Sequence, residues 1–330
     1  MGLRFELAVL VARAFHPGVR VSLSTHGRDA RATILGNCFG KGRRFATAWR
    51  MKIILSAMVF LLGMNAATAK DVLRVASFNV RFASTNQPNA WVDRRPIMKA
   101  CWQKMDADII GTQETTYLQV MDLAEDFPKY NWIGLGRDGG SHGEFMAIYY
   151  RKDRFKPLEF DHFWLSDTPD RIGSITWSNV NKRMVTWVKF FDRETKQEFY
   201  FFNTHFDHKI QEAREKSAAL VRERIAGLGN SLPVILMGDF NANAGKNKTY
   251  SILTEDGFMT DTWNTAKKRV NDHIGTFNEF KREIVGGPRI DWILTRNGVS
   301  CERIEIVTFN KDGQFPSDHF PVVAELRLSK

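Results

Sequence analysis

The apolar run Leu232-Pro233-Val234-Ile235-Leu236-Met237 passes directly into Gly238-Asp239-Phe240-Asn241, and this junction constrains the chain more than any other stretch. An apolar run of that length predicts a buried strand, and alternate side chains of a strand face the same way. Asp239 and Asn241 would therefore leave the sheet together, a carboxylate beside a carboxamide. Paired oxygen ligands at a sheet edge suit a hard cation, a water nucleophile or a phosphate. Gly, Asp and Asn are equally turn formers, so the tetrapeptide alone reads as well for a strand-ending turn.

Around this junction the chain predicts more strands than helices. Val72 to Arg81 alternates as a strand should, and Asp108 to Gly111 is a short buried strand delivering Gln113 and Glu114. Phe145 to Arg151, Met184 to Phe191, Glu198 to Thr204, Arg289 to Leu294 and Pro321 to Leu328 are rich in aromatic or β-branched residues. One helix has Pro96 near its start, with Ile97, Cys101 and Met105 on one face; another runs from Gln211 to Leu228 with its charges outward. Several neighbouring strands read as hairpin-connected. That favours two packed mixed sheets with helices outside over a doubly wound parallel sheet.

The first seventy residues read differently. Met51-Lys52, an apolar stretch from Ile53 to Met64 and the small-residue pattern Ala67-Thr68-Ala69 have the layout of a secretory signal peptide. The expectation is a mis-called or disordered leader over 1–50, a signal peptide over 51–69 cleaved after Ala69, and one domain over 70–330. The product would be secreted or periplasmic, without a transmembrane anchor, and a monomer. Cleavage would remove ten basic and two acidic residues, lowering the formal net charge from +10 to about +2. The basic balance of the whole chain is then no argument for nucleic-acid binding. Cys101 and Cys301 remain, and export would permit a bridge between them as readily as two buried thiols.

Asn79, Glu114, His205, Asp239, Asn241, Asp291 and His319 each fall at or beside a predicted strand in an apolar setting. One such residue is an ordinary buried polar group with a partner. A set of them on separate elements, all of types that bind cations or move protons, predicts a convergent site.

In order along the chain, Ser77-Phe78-Asn79, Gly111-Thr112-Gln113-Glu114, Asn203-Thr204-His205, Gly238-Asp239-Phe240-Asn241, Arg289-Ile290-Asp291-Trp292-Ile293 and Ser317-Asp318-His319 resemble the motifs of the endonuclease/exonuclease/phosphatase superfamily. The resemblance spans Leu73 to Leu328 and implies an α/β (α+β) four-layer αββα sandwich. It also implies a metal-dependent hydrolase of phosphate esters, with Mg²⁺ or Mn²⁺ held by Glu114, Asn79 and Asp318. Asp239 would activate the attacking water and Asn241 would hold phosphate or water. His319, fixed by Asp291, would bond the phosphoryl oxygen as charge builds there. Glu144 would orient His205, which would protonate the leaving oxygen or simply hold phosphate.

Arg183, His208 and Arg214 are candidate phosphate contacts, and Trp177 a stacking surface in the long loop from Ser166 to Lys182; each reads equally as a structural residue. The expected substrate is a phosphodiester, of nucleic acid or a related kind. A phosphomonoester, a phospholipid headgroup, or a catalytically dead binding protein on the same fold are the alternatives.

Overall fold

The computed structural model describes residues 71–229 and 231–329, and the strands β1 (Arg20–Ser22) and β2 (Thr33–Leu35), which pair antiparallel with each other. The expected signal segment, 51–69, lies outside the described residues. The chain divides into two units, Met1–Asn65 and Ala66–Lys330. Within the second unit the order is β3 (Leu73–Asn79), α1 (Trp91–Met105), β4 (Ile109–Gln113), α2 (Tyr117–Asp126), β5 (Tyr130–Ile133), β6 (Ile148–Arg151), β7 (Phe155–Trp164), β8 (Met184–Asp192) and β9 (Glu198–His205). Then come α3 (Gln211–Gly227), β10 (Val234–Asp239), α4 (Lys248–Thr254), β11 (Thr260–Asp261), α5 (Thr262–Thr265), β12 (Lys268–Val270), β13 (Asp291–Arg296), β14 (Val299–Ile306) and β15 (Val322–Leu328).

Two mixed sheets form, ordered β12-β14-β15-β3-β4-β6-β5 and β11-β13-β10-β9-β8-β7. They pack face to face because each central strand is apolar on both sides. Val75, Ile109 and Ile148 of the first sheet meet Phe199, Phe201, Ile235, Met237 and Ile293 of the second in one inner core. The opposite faces are covered by helices. Ala76, Phe78 and Ile110 lie under Met98, Cys101 and Trp102 of α1, while Leu236 and Leu294 lie under Ala213, Ala218 and Val221 of α3. The result is the expected four-layer sandwich. Cys101 and Cys301 are buried free thiols, the second of the two readings.

The inner faces turn polar toward one end of the sandwich. Along β10 the inward series is Ile235, Met237, Asp239; along β9 it is Phe199, Phe201, Asn203, His205; along β3 it is Val75, Ser77, Asn79. Deep in this end, Gln113 Nε2 donates to Asn203 Oδ1 at 2.7 Å across the sheets, and Asn203 Nδ2 donates to the Thr112 and Ala147 carbonyls. Gly111 makes room for this bridge, since a Cβ there would stand 2.9 Å from the Asn203 carboxamide.

Helix α1 carries an unexpected buried cation on its inward face. Arg94 is fully buried, and its guanidinium donates to the carbonyls of Asn89, Val80, Pro316, Arg81 and Phe82. It thereby ties the segment leaving β3 to the segment that carries Ser317-Asp318-His319. Replacing Arg94 by Met keeps the bulk but strands buried carbonyls, at roughly 1–3 kcal/mol for each group left unsatisfied. Arg94→Met is expected to lower the thermal midpoint by many degrees in a calorimetric scan; a shift of under about 2 °C would show that Arg94 does not hold these segments.

Candidate active site

Strand register assembles the site before any side chain is considered. Asp239 is paired directly with His205 on one neighbour and with Asp291 on the other, while Asn79 pairs with Gln113 in the facing sheet. Gly238 is required by the close packing, because a Cβ there would stand 2.1 Å from the Thr204 carbonyl oxygen. The strand ends at Asp239, and Asn241 takes a left-handed backbone with φ 47°. The tetrapeptide is thus a turn and a site together: Asn241 reaches the site by the turn rather than by strand alternation. Glu114 (φ 59°) and Arg81 (φ 55°) leave their strands by the same device. Such backbone costs roughly 1–3 kcal/mol at a non-glycine residue, and it recurs here around one cleft.

Asp239 is almost fully buried and is held by donors from several elements. Its Oδ1 accepts from the Asn241 backbone N–H at 2.9 Å and its Oδ2 from Asn79 Nδ2 at 3.0 Å. His205 Nε2 stands 3.4 Å and His319 Nε2 3.8 Å from Oδ2. Burial, then the neighbouring Asp291 charge, pushes the Asp239 carboxyl up to about 7, against the pull of His319. Burial alone would push His319 down. The Asp291 and Asp239 charges, with the 3.0 Å bond from Nδ1 to Asp291 Oδ2, outweigh it and hold the imidazole up at about 10. Phe277, which sequence reasoning missed, packs its ring 5.0 Å from that of His319.

Glu114 and Asp318 form the second charged group. The Arg81 guanidinium lies between them, 3.4 Å from Glu114 Oε2 and 3.6 Å from Asp318 Oδ2. Burial acts to raise the Glu114 pKa, but the bond from Asn79 and the Arg81 charge outweigh it and hold this carboxyl low. Asn79 uses its N–H on Glu114 Oε1 as well as on Asp239, while its oxygen accepts from the Arg81 backbone. Its N–H groups thus hold two carboxylates in place, while its oxygen is engaged by the Arg81 backbone. Two arrangements of donors could hold a cation. Glu114 and Asp318 already share one, the Arg81 guanidinium. Asp239, Asp291 and His319 bring ligand atoms within 4.8 Å of one another. Among Asp239, Asp291 and His319 the imidazolium already supplies positive charge, so a hard divalent ion fits the Glu114 and Asp318 oxygens better.

A cleft of about 360 Å³ joins these groups, lined by Arg81, Glu114, Glu144, Arg183, His205, His208, Asp239, Asn241, Asp318 and His319, with Phe82, Asn181 and Phe277 at its walls. Asp291 stands behind His319. The expected bond between Glu144 and His205 is not made. Glu144 faces Arg137 across a tight loop and pairs with its guanidinium at 2.7 Å, which a neutral imidazole cannot match. Burial, then the charge of Arg183, holds His205 well below its usual pKa, so this ring is neutral; Asn241 Nδ2 stands 3.0 Å from its Nε2.

Arg214 and Trp177 are not brought into the cleft. Arg214 bonds the Asp207 carbonyl and Gln211 Oε1, fixing the start of α3. Trp177 is buried in the outer core with its indole N–H on Asp167. Both are turned to partners within one turn or loop, and neither is among the residues that line the cleft. Arg81 and Arg94 were missed altogether. For Arg94 the available signal was a cation on the same helical face as Ile97 and Cys101.

The sequence model of the Endonuclease/Exonuclease/phosphatase family matches residues 76–319. A Bacteroides thetaiotaomicron structure titled as a protein of that family shares 37% identity, covering 78% of this chain and 95% of its own, at TM-score 0.74. A mannosyl-6-phosphatase of the same organism shares 38% identity, covering 77% of this chain and 99% of its own, at TM-score 0.72. An uncharacterized protein of Acanthamoeba polyphaga mimivirus is 29% identical over 264 residues, 74% of this chain and 94% of the viral one. Matching site order, sandwich and sequence together, the chain belongs to the endonuclease/exonuclease/phosphatase family.

Proposed function

We propose that the protein is a divalent-metal-dependent hydrolase of phosphate esters that delivers water in line to phosphorus. The observation that carries this reading is the geometry around the buried Asp239: its Oδ2 accepts from Asn79 and stands 3.4 Å from His205 Nε2 and 3.8 Å from His319 Nε2, and His319 Nδ1 is 3.0 Å from Asp291, with the Asp239 carboxyl pushed up by that burial to about 7. A carboxylate poised near neutrality is suited to take a proton from water. As the water oxygen bonds to phosphorus, the P–O ester bond breaks, Asp239 takes the water proton, and the leaving oxygen collects one from solvent. His319 donates from Nε2 to the phosphoryl oxygen as its charge grows. Asn241 and neutral His205 fix the water and phosphate rather than transfer a proton.

Glu114 and Asp318 are the residues that would hold Mg²⁺ or Mn²⁺, displacing Arg81 from between them. When bound, such an ion supplies Lewis acidity to a phosphoryl oxygen. All donors there are carboxylate oxygens, as a hard cation prefers. The sequence expectation puts a phosphodiester first. A phosphomonoester is favoured by the relative titled a mannosyl-6-phosphatase, at 38% identity over nearly all of its chain.

Mg²⁺ or Mn²⁺ is expected to raise the thermal midpoint of the protein and to be required for hydrolysis of p-nitrophenyl phosphate or bis(p-nitrophenyl) phosphate. Glu114→Gln should lose both effects. Full turnover in the presence of chelator would sink the metal reading. Asp239→Asn and His319→Ala should each lower kcat by about 10²–10⁴-fold while the protein stays folded by circular dichroism. Near-complete activity in either would remove that residue from the mechanism. Export is proposed from the signal-like segment alone; a mature N-terminus at Lys70, read by mass spectrometry of the exported protein, is the expected result, and a retained segment 51–69 would refute it.

A further inference from the structure

Arg183 is a cation with too little to do. It ends the long loop after Trp164, immediately before β8, is 3% exposed, and forms no ion pair among the described residues. Among the described residues its guanidinium has one hydrogen-bond partner, His208, with Nη2 3.3 Å from Nδ1. Its Nε and Nη1 are buried without any acceptor. The Nδ1 of His205, in the same cleft, is also buried and unpartnered. Protein interiors rarely leave such groups unsatisfied, and an unpaired guanidinium N–H is among the costlier cases. The carboxylate whose charge acts on it most strongly, Glu144, is already taken by Arg137.

These unmet donors ask for an anion with several oxygens, arriving by way of the cleft. A terminal phosphate has three non-bridging oxygens and carries roughly −1.5 to −2 charge at neutral pH. A phosphodiester offers two such oxygens and a single charge. The Glu114, Asp318 and Asp239 side of the cleft already has its own cation or proton for one phosphoryl edge. The further charge and the third oxygen of a monoester are what Arg183, backed by His208, would complement. The guanidinium fork is suited to grip two phosphate oxygens at once. Its position is fixed rather than floppy: next to it, Lys182 pairs with Asp138 at 2.7 Å, joining this loop to the one that carries Glu144.

We infer that Arg183, supported by His208, is the receptor for the terminal phosphate of a phosphomonoester, and that this pair sets the enzyme's preference for monoesters over diesters. This inference rests on the phosphate-ester hydrolase reading above. Arg183 acts on substrate directly; His208 is a positioning residue that holds its guanidinium.

The test compares p-nitrophenyl phosphate with bis(p-nitrophenyl) phosphate, which share a leaving group, in the metal-loaded full chain. The wild type should favour the monoester in kcat/KM. In Arg183→Met, which keeps most of the buried volume, the monoester-to-diester ratio should fall by about 30-fold or more, and His208→Ala should lower it by a smaller factor. Arg183→Lys, which keeps charge but loses the fork, should fall between wild type and Arg183→Met. Calorimetry gives a readout without turnover: inorganic phosphate should bind the wild type at least about tenfold more tightly than dimethyl phosphate, and Arg183→Met should abolish that difference. If Arg183→Met fails to fold, the His208→Ala ratio and the wild-type binding preference carry the test. Equal loss on both esters, a wild-type preference for the diester, or no binding preference for inorganic phosphate would overturn the inference. Hydrolysis of neither ester with any metal would instead overturn the hydrolase reading itself.

Discussion

A carboxylate buried between two sheets is the constraint on which the rest of the site depends. Asp239 cannot keep its charge in an apolar sandwich without donors, because an isolated buried anion would neutralise itself. The fold supplies them from three directions: Asn79 from the facing sheet, the Asn241 backbone from its own turn, and His319 from the chain's last loop. Each of those groups is in turn held elsewhere. Asn79 spans Asp239 and Glu114, and Asp291 fixes His319. The hydrolytic site and the solution to a buried-charge problem are therefore the same set of bonds. Partial compensation suits the chemistry. For the role proposed for Asp239, full neutralisation by a tight ion pair would make it too weak a base, and none at all would leave it protonated.

The loops that carry these groups have no regular structure to hold them. Their anchor is Arg94, which bonds carbonyls of the segment after β3 and of Pro316 at once. Ser317 Oγ adds a bond to the Asn79 carbonyl at 2.6 Å. The first and last motifs of the domain, about two hundred and forty residues apart, are thereby locked to each other. Side-chain donors replace a sheet ladder where the ladder would fill the cleft.

Period-two alternation is what made the fold and most of the site legible. Once Ile235 and Met237 face inward, Asp239 must follow, and the same count places Asn79, His205 and Asp291 at the same end. What alternation cannot convey is who pairs with whom after the strand stops. Glu144 was assigned to His205 on motif order, yet a cation across its own loop, Arg137, claims it. Asn241 arrives through left-handed backbone, which strand counting does not describe. Arg214 and Trp177 lie near the motifs in sequence but point to local partners, since proximity along the chain says little about direction on a helix or in a loop. Arg81 was passed over because nothing in its local sequence marks a guanidinium destined to sit between two carboxylates.

The charges of the cleft are sorted rather than mixed. Glu114, Asp318 and Asp239 gather on one group of elements, β3, β4, β10 and the last loop, with a single guanidinium, Arg81, among them. Arg183 and His208 gather on the segments just before β8 and just after β9, with Glu144 of the same cleft already committed to Arg137. Such a cleft has a direction. A cation is drawn toward the acidic group, where Arg81 marks its place, and an anion toward the basic one. A phosphate ester, anionic itself and able to bind a cation through its oxygens, answers both halves together. Neither half need bind strongly alone, because the ester links them. Under the proposed function, that division would let one sandwich edge take a cation on one side and a phosphate on the other, with the buried Asp239 at the boundary where the two fields meet.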